Sequence, residues 1–184
     1  MVAQMLFKYT NLSLPILRII ASHLANYRKQ QVIQTYVGNR KTRFDRSGRA
    51  LEYGYPLTFN LRGDFGIYRD LHRMRMLTQE RQLLTTKLGF EIPQSIIDAG
   101  HEEEINKCIS ISSSLWERIA NDVSPEAAQY AVLFGFNIQW MIGMNLREAQ
   151  HMLELRTIPQ GHPNYRKMCQ EMNRQIMEKF PQMK

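Results

Sequence analysis

An α+β fold, with a small antiparallel sheet packed with several helices, follows from three features of the sequence. Two short stretches alternate between apolar and polar residues with a period of two, most other apolar residues recur at helical spacing, and the order along the chain is helix, strand, helices, strand, helices. Ser13 followed by Pro15 is a helix start, and Leu14, Leu17, Ile20, Ala21, Leu24 and Ala25 carry that helix to about residue 28. Residues 38–48 lack apolar periodicity and read as a loop. Tyr53, Tyr55, Leu57, Phe59 and Leu61 then alternate with Gly54, Pro56, Thr58 and Asn60, which predicts the first strand, and Pro56 places it at an edge or a bulge.

Asp64 is suited to cap a helix predicted to run to about residue 85, with Phe65, Tyr68, Leu71 and Leu83 buried and arginines on the other face. Pro93 begins a further helical region. Residues 102–120 are helix-like, with their continuity left open at the serine-rich stretch 110–114. Ser124, Pro125 and Glu126 combine a cap, a first-turn proline and an early acid. The second strand is predicted over residues 134–143, with Phe134, Phe136, Ile138, Trp140 and Ile142 on one face. Asn145 caps a helix through about residue 156, and Pro163 opens a terminal helix with Tyr165, Met168, Cys169, Met172, Ile176 and Phe180 at apolar spacing.

The 184 residues are expected to form one domain, residues 1–45 being an N-terminal helix and basic connector and residues 46–184 the core. A 43% hydrophobic and 22% charged composition excludes a disordered chain. The most apolar stretch, residues 130–144, is too short and too polar for the ~20 residues of a spanning helix, so no membrane association is expected. Two cysteines cannot build a disulfide framework or a four-ligand zinc site, and a reducing cytoplasm is the expected compartment.

Of the net charge of +7, residues 28–49 carry +6: Arg28, Lys29, Arg40, Lys41, Arg43, Arg46 and Arg49 face only Asp45. This segment reads as a solvated basic connector or as an anion site. With only Tyr36 and Phe44 inside it, the stacking platforms of a single-strand nucleic-acid binder are poorly represented. No phosphate-binding or dinucleotide-binding glycine loop is present. The five histidines are dispersed, and neither cysteine has a Cys or His partner near it in sequence. No metal is therefore expected.

Two segments carry clustered chemistry. In residues 69–75, Arg69 and Arg73 are spaced for one helical face and His72 and Arg75 for the next, which suits either a solvated face neutralised by Asp70 and Glu80 or an anion site. In residues 145–156, Arg147 and His151 share a face while Leu146, Ala149, Met152 and Leu153 supply the core side. This suits an ordinary amphipathic helix or a ligand site.

The strand residues Thr58 to Arg62, the Arg73-Met74-Arg75 triplet, and the distal Asn145-Leu146-Arg147 through Leu153-Glu154-Leu155-Arg156 with His162 resemble the flavin-dependent thymidylate synthase family over roughly residues 45–180. The resemblance implies reductive methylation of dUMP to dTMP, with methylenetetrahydrofolate as carbon donor, NADPH as reductant and FAD as cofactor, at sites shared between the subunits of a homotetramer. It implies flavin contacts from Arg73, Arg75, Asn145, Arg147, His151 and His162, dUMP contacts from Glu80 and Arg81, and a catalytic, uracil-holding role for Arg156. A guanidinium fixed beside the pyrimidine carbonyl stabilises negative charge developing on the ring, so no cysteine nucleophile is required.

The sequence also departs from the family pattern. Met74 stands in place of the middle histidine of Arg-His-Arg, Gln129 in place of an arginine for the dUMP phosphate, and residues 47–52 in place of a histidine-rich segment. Arg49 and Arg81 are the candidate replacements for the missing phosphate-binding charge. The chain is thus expected to be a divergent enzyme or a related domain of the same fold that binds or assembles without catalysis, completed by a partner domain. A basic nucleic-acid module is the weakest reading.

Overall fold

A computed structural model describes residues 1–10, 12–45, 48–53 and 57–181. These residues pack as two compact units, the first from residues 1–57 and 143–184, the second from residues 58–142. The fold is α+β with a small three-stranded antiparallel sheet among helices, as the periodicity predicts.

The first unit begins with a short helix the sequence reading does not contain, α1 (Val2–Phe7), which buries Ala3 and Met5. The predicted helix to residue 28 is two helices, α2 (Leu14–His23) and α3 (Asn26–Val37). The chain is extended at Leu24 and Ala25, with ψ of 135° and 149°, so the apolar spacing across that point is not one helical face. A turn of 3-10 helix, Arg49–Glu52, precedes the sheet. The unit is completed by two long helices near the end of the chain, here α8 (Leu146–Arg156) and α9 (Pro163–Lys179), each starting and packing as their caps predict. Asn145 Oδ1 accepts from Glu148 N at 2.9 Å, and His162 Nδ1 accepts from Asn164 N at 3.3 Å.

The basic connector is partly ordered by its own contacts. Arg40 forms a two-pronged pair with Glu154 and donates to Asp45 O, while the backbone N–H groups of Thr42 and Lys41 hold the Asp45 carboxyl below the usual carboxylate range. Arg46 and the side chain of Arg49 lie outside the described residues.

The second unit holds the sheet, ordered β1 (residues 57–64), β3 (residues 137–144), β2 (residues 78–81). Strand β1 (Leu57–Asp64) is an edge strand. It starts later than residue 53, and the bulge expected at Pro56 lies outside the described residues. Strand β3 (Asn137–Met144) takes the centre, with Ile138, Trp140, Ile142 and Met144 buried. Phe134, assigned by alternation to the same buried face, precedes the strand and is exposed. Register is set across Gln139, whose O accepts from Gln82 N at 3.0 Å and whose amide bonds Asn60 on β1.

The predicted helix from Asp64 to about residue 85 is the largest correction. Asp64 does cap α4 (Phe65–Leu71), its Oδ1 accepting from Ile67 N at 2.8 Å, but the helix ends at Leu71 and β2 (Thr78–Arg81) follows. Leu83, expected in the core, is exposed. Four polar residues with no apolar alternation become a strand because β3 offers them an unpaired edge. Tertiary pairing here overrides the local pattern. Helix α4 seats on β3 through an edge-on contact of Tyr68 with Trp140, the ring centroids 5.7 Å apart. Further along, α5 (Gln94–Asp98) follows Pro93, and α6 (Glu102–Asp122) runs unbroken through the serine-rich stretch, where Ser112 Oγ donates to Ala131 O at 2.5 Å. Ser124 caps α7 (Pro125–Ala128) as predicted. No helix among the described residues is long and apolar enough to cross a membrane.

Candidate functional site

The residues singled out by sequence fall into two groups, one in each unit. In the second unit, Arg73 and Arg75 are not on a helix face. They lie in the connector after α4, on either side of Met74, which is buried and whose N–H donates to Leu71 O at 3.0 Å. Burying Met74 turns both arginines outward. Neither has an ion pair or side-chain hydrogen bond among the described residues, so two positive charges stand uncompensated at one turn. Beside them His72 stacks obliquely on Tyr68, with centroids 5.5 Å apart.

Glu80 and Arg81 are both exposed on β2. Arg81 Nη1 donates to Gln129 Oε1 at 3.1 Å and to Gln82 O at 3.0 Å. The same Gln129 oxygen accepts from Leu84 N at 3.0 Å, and its amide nitrogen donates to Glu126 O at 3.3 Å. Gln129 is therefore a structural hub with both ends occupied, and the cation beside it belongs to Arg81. Gln79, next to Glu80, has a buried Oε1 without a hydrogen-bond partner among the described residues.

In the first unit, α8 presents Arg147, His151 and Arg156. Its opposite side, through Leu146, Ala149, Met152 and Leu153, is buried. Arg147 is ion-paired with Glu52, and His151 is exposed. Glu148 is buried, and burial pushes its carboxyl up from the usual range, partly opposed by His151.

Arg156, in the last turn of α8, is half-buried. Its guanidinium lies 5.5 Å from the centre of the Tyr165 ring, and its Nε is buried without an acceptor among the described residues. Gly161, in the loop after Arg156, passes close to Tyr165: a Cβ there would meet the Tyr165 hydroxyl at 2.5 Å, so a larger residue would have to push that ring aside. Arg166 Nε donates to Thr157 O at 3.2 Å and ties the same loop to α9. A buried guanidinium nitrogen without an acceptor is costly, so this arginine is held there at the expense of stability.

Tyr165, Gly161 and Glu52 are the contributors that sequence reasoning did not place at a site. Tyr165 was visible only as one apolar position of the terminal helix. Its signal was its place in the first turn after a short loop that follows Arg156.

A family model described as "Thymidylate synthase complementing protein" matches residues 21–182. The chain belongs to the thymidylate synthase complementing protein family. This is the family of flavin-dependent thymidylate synthases that the motifs resemble. Among family relatives, a "UPF0159 protein" of Chlamydia muridarum is 39% identical over 153 residues, which is 83% of this chain and 28% of the relative. One from Chlamydia pneumoniae is 36% identical over 179 residues, 97% of this chain and 33% of the relative. One from Thermoplasma acidophilum is 30% identical over 146 residues, 79% of this chain and 28% of the relative. The chain thus spans a third or less of the length of these relatives.

The thiol chemistry of this family member follows from burial. Cys108 is exposed, whereas Cys169 is on the buried face of α9 with Met172 and Ile176. Burial pushes the Cys169 thiol up to about 11, with Arg156 pulling the other way. With Ellman's reagent at pH 8, one thiol per chain is expected to react rapidly in the native protein and the second only after denaturant is added. Two rapid thiols would contradict the packing of α9.

Proposed function

We propose that this chain takes part in flavin-dependent thymidylate synthesis, the reductive methylation of dUMP to dTMP using methylenetetrahydrofolate and NADPH. The observation that carries the reading is Arg156. Its buried Nε has no acceptor among the described residues, its guanidinium lies against Tyr165, and the resemblance implies that it holds the uracil ring. A pyrimidine carbonyl placed beside the guanidinium would be polarised by it, and the fixed cation would stabilise negative charge developing on the ring.

The residues present also fit a flavin nucleotide. Arg73 and Arg75 are two uncompensated cations at one turn, suited to a diphosphate. The flavin, when bound, supplies the hydride chemistry. Asn145, Arg147, His151 and His162 are its proposed contacts on the other group. Two of them also have structural duties, since Asn145 caps α8 and His162 caps α9. Glu80 and Arg81 are the proposed nucleotide contacts, and Arg81, drawn beside Gln129, is the replacement for the phosphate-binding arginine absent at that position. Assembly as a homo-oligomer such as a tetramer, or with a partner domain, belongs to the same proposal.

A second reading, a domain of this fold that binds or assembles without catalysis, is favoured by Met74 and Gln129. Both occupy family positions for charged or ring-nitrogen side chains, and both are committed to packing or to protein hydrogen bonds.

One measurement separates the two. Purified protein with added FAD is expected to retain flavin absorbance after gel filtration, and dUMP is expected to perturb that spectrum and raise the melting temperature. Flavin retention without a dUMP effect supports the second reading. Colourless protein that neither ligand stabilises defeats the first.

A further inference from the structure

The first unit contains a cavity of about 850 Å³ that the assigned contacts do not explain. Its size is within the range of small-molecule sites, roughly 300–1,000 Å³. One wall comes from the end of α1 and the residues after it, with Gln4, Phe7, Lys8 and Tyr9. The other comes from Tyr36, Tyr53, Glu52 and Arg147. The family match begins at residue 21, so the α1 wall lies outside it.

The chemistry of the lining is specific. Four aromatic rings border one cavity, and three of them, Phe7, Tyr9 and Tyr53, are more than half exposed. Exposed rings gathered around a cavity offer flat apolar faces to a planar ligand. Arg147 and Glu52 are paired and cancel. Lys8 has no ion pair among the described residues. Its Nζ stands 5.5 Å from the centre of the Tyr9 ring, which leaves the lining one net positive charge. The second wall is stiff: Tyr36 hydroxyl accepts from Ala50 N at 2.9 Å, and a Cβ on Gly48 would overlap the Tyr36 ring at 2.4 Å.

We propose that the α1 wall is part of a ligand site: with Tyr36, Tyr53 and Arg147 it receives a planar heteroaromatic ring with an anionic tail, the class to which flavin nucleotides belong. The ring stacks among the tyrosines, and the anion pairs with Lys8 rather than with the already neutralised Arg147. The inference rests on the flavin reading of Arg147 and adds residues before the family match to that site.

Binding of FAD to the full chain, followed by quenching of flavin fluorescence, tests it. Lys8→Ala and Tyr9→Ala alter exposed side chains, and unchanged circular dichroism would verify their folding. Each is expected to weaken the FAD Kd about tenfold, the equivalent of one lost charged or stacking contact, and Arg147→Ala to weaken it as well. If Arg147→Ala weakens binding while Lys8→Ala and Tyr9→Ala bind like the parent chain, the inference fails and the flavin reading stands. If all three variants bind FAD normally, the flavin lies elsewhere and the inference fails. If the parent chain does not bind FAD, the proposed function and the inference fall together.

Discussion

Trp140→Ala is expected to destabilise the second unit by about 3–5 kcal/mol, the range for removing a fully buried large aromatic side chain. Trp140 sits in the central strand with 1% of its surface exposed, and α4 rests on it through Tyr68. Truncation therefore leaves a cavity between strand and helix and removes the ring contact that seats α4. The same side chain carries a cost, because its Nε1 is buried without an acceptor among the described residues. Trp140→Phe keeps a ring against Tyr68 and deletes the unpaired donor, whose burial costs about 1–3 kcal/mol. It is expected to lose well under half of what alanine loses. Urea unfolding followed by far-ultraviolet circular dichroism measures both, and a loss below about 1 kcal/mol for Trp140→Ala would show that the site collapses around the cavity.

Arg156→Met should separate stability from function. Under the proposed reaction, losing the fixed cation beside the pyrimidine is expected to lower kcat by about 10²–10³-fold, as for other single preorganised donors to a developing negative charge. Arg156→Lys is expected to fall close behind, since an ammonium cannot reproduce the planar guanidinium or its Nε donor. Stability should move the other way or not at all. Removing a buried donor without an acceptor returns about 1–3 kcal/mol, and losing the contact with Tyr165 takes back about 0.5–1 kcal/mol. Measured dUMP-dependent turnover alongside thermal unfolding decides the matter. A variant that is both active and destabilised would make Arg156 a structural residue.

Caps and alternation were legible without a structure. Asn145, Ser124 and Asp64 each accept the backbone N–H that a helix start requires, and the alternation from Phe136 to Ile142 is the buried face of the central strand. These are local signals, carried by residue type at fixed spacing. Helix ends and edge strands were not legible. The helix after Asp64 stops at Leu71, and the chain from Thr78 joins the sheet, because a distant strand presents an unpaired edge. Nothing local distinguishes such a segment from the last turns of an amphipathic helix.

The candidate site divides in the same way. The Arg73-Met74-Arg75 triplet and the Asn145 to Arg156 segment were found as motifs, and the family match agrees with the resemblance they carry. What those residues touch was not readable. Only packing shows that Met74 is an anchor, that Gln129 holds Arg81, that Glu52 neutralises Arg147 and that Tyr165 backs Arg156.

The sequence by itself determined the α+β class, the capped helices, the central strand and the family, since all of these depend on residue types at short spacing. The tertiary structure alone decided which charges are spent and which remain available. A charge is neutralised by whatever lies within a few ångströms, and Arg40 and Glu154 or Arg147 and Glu52 are far apart in the chain.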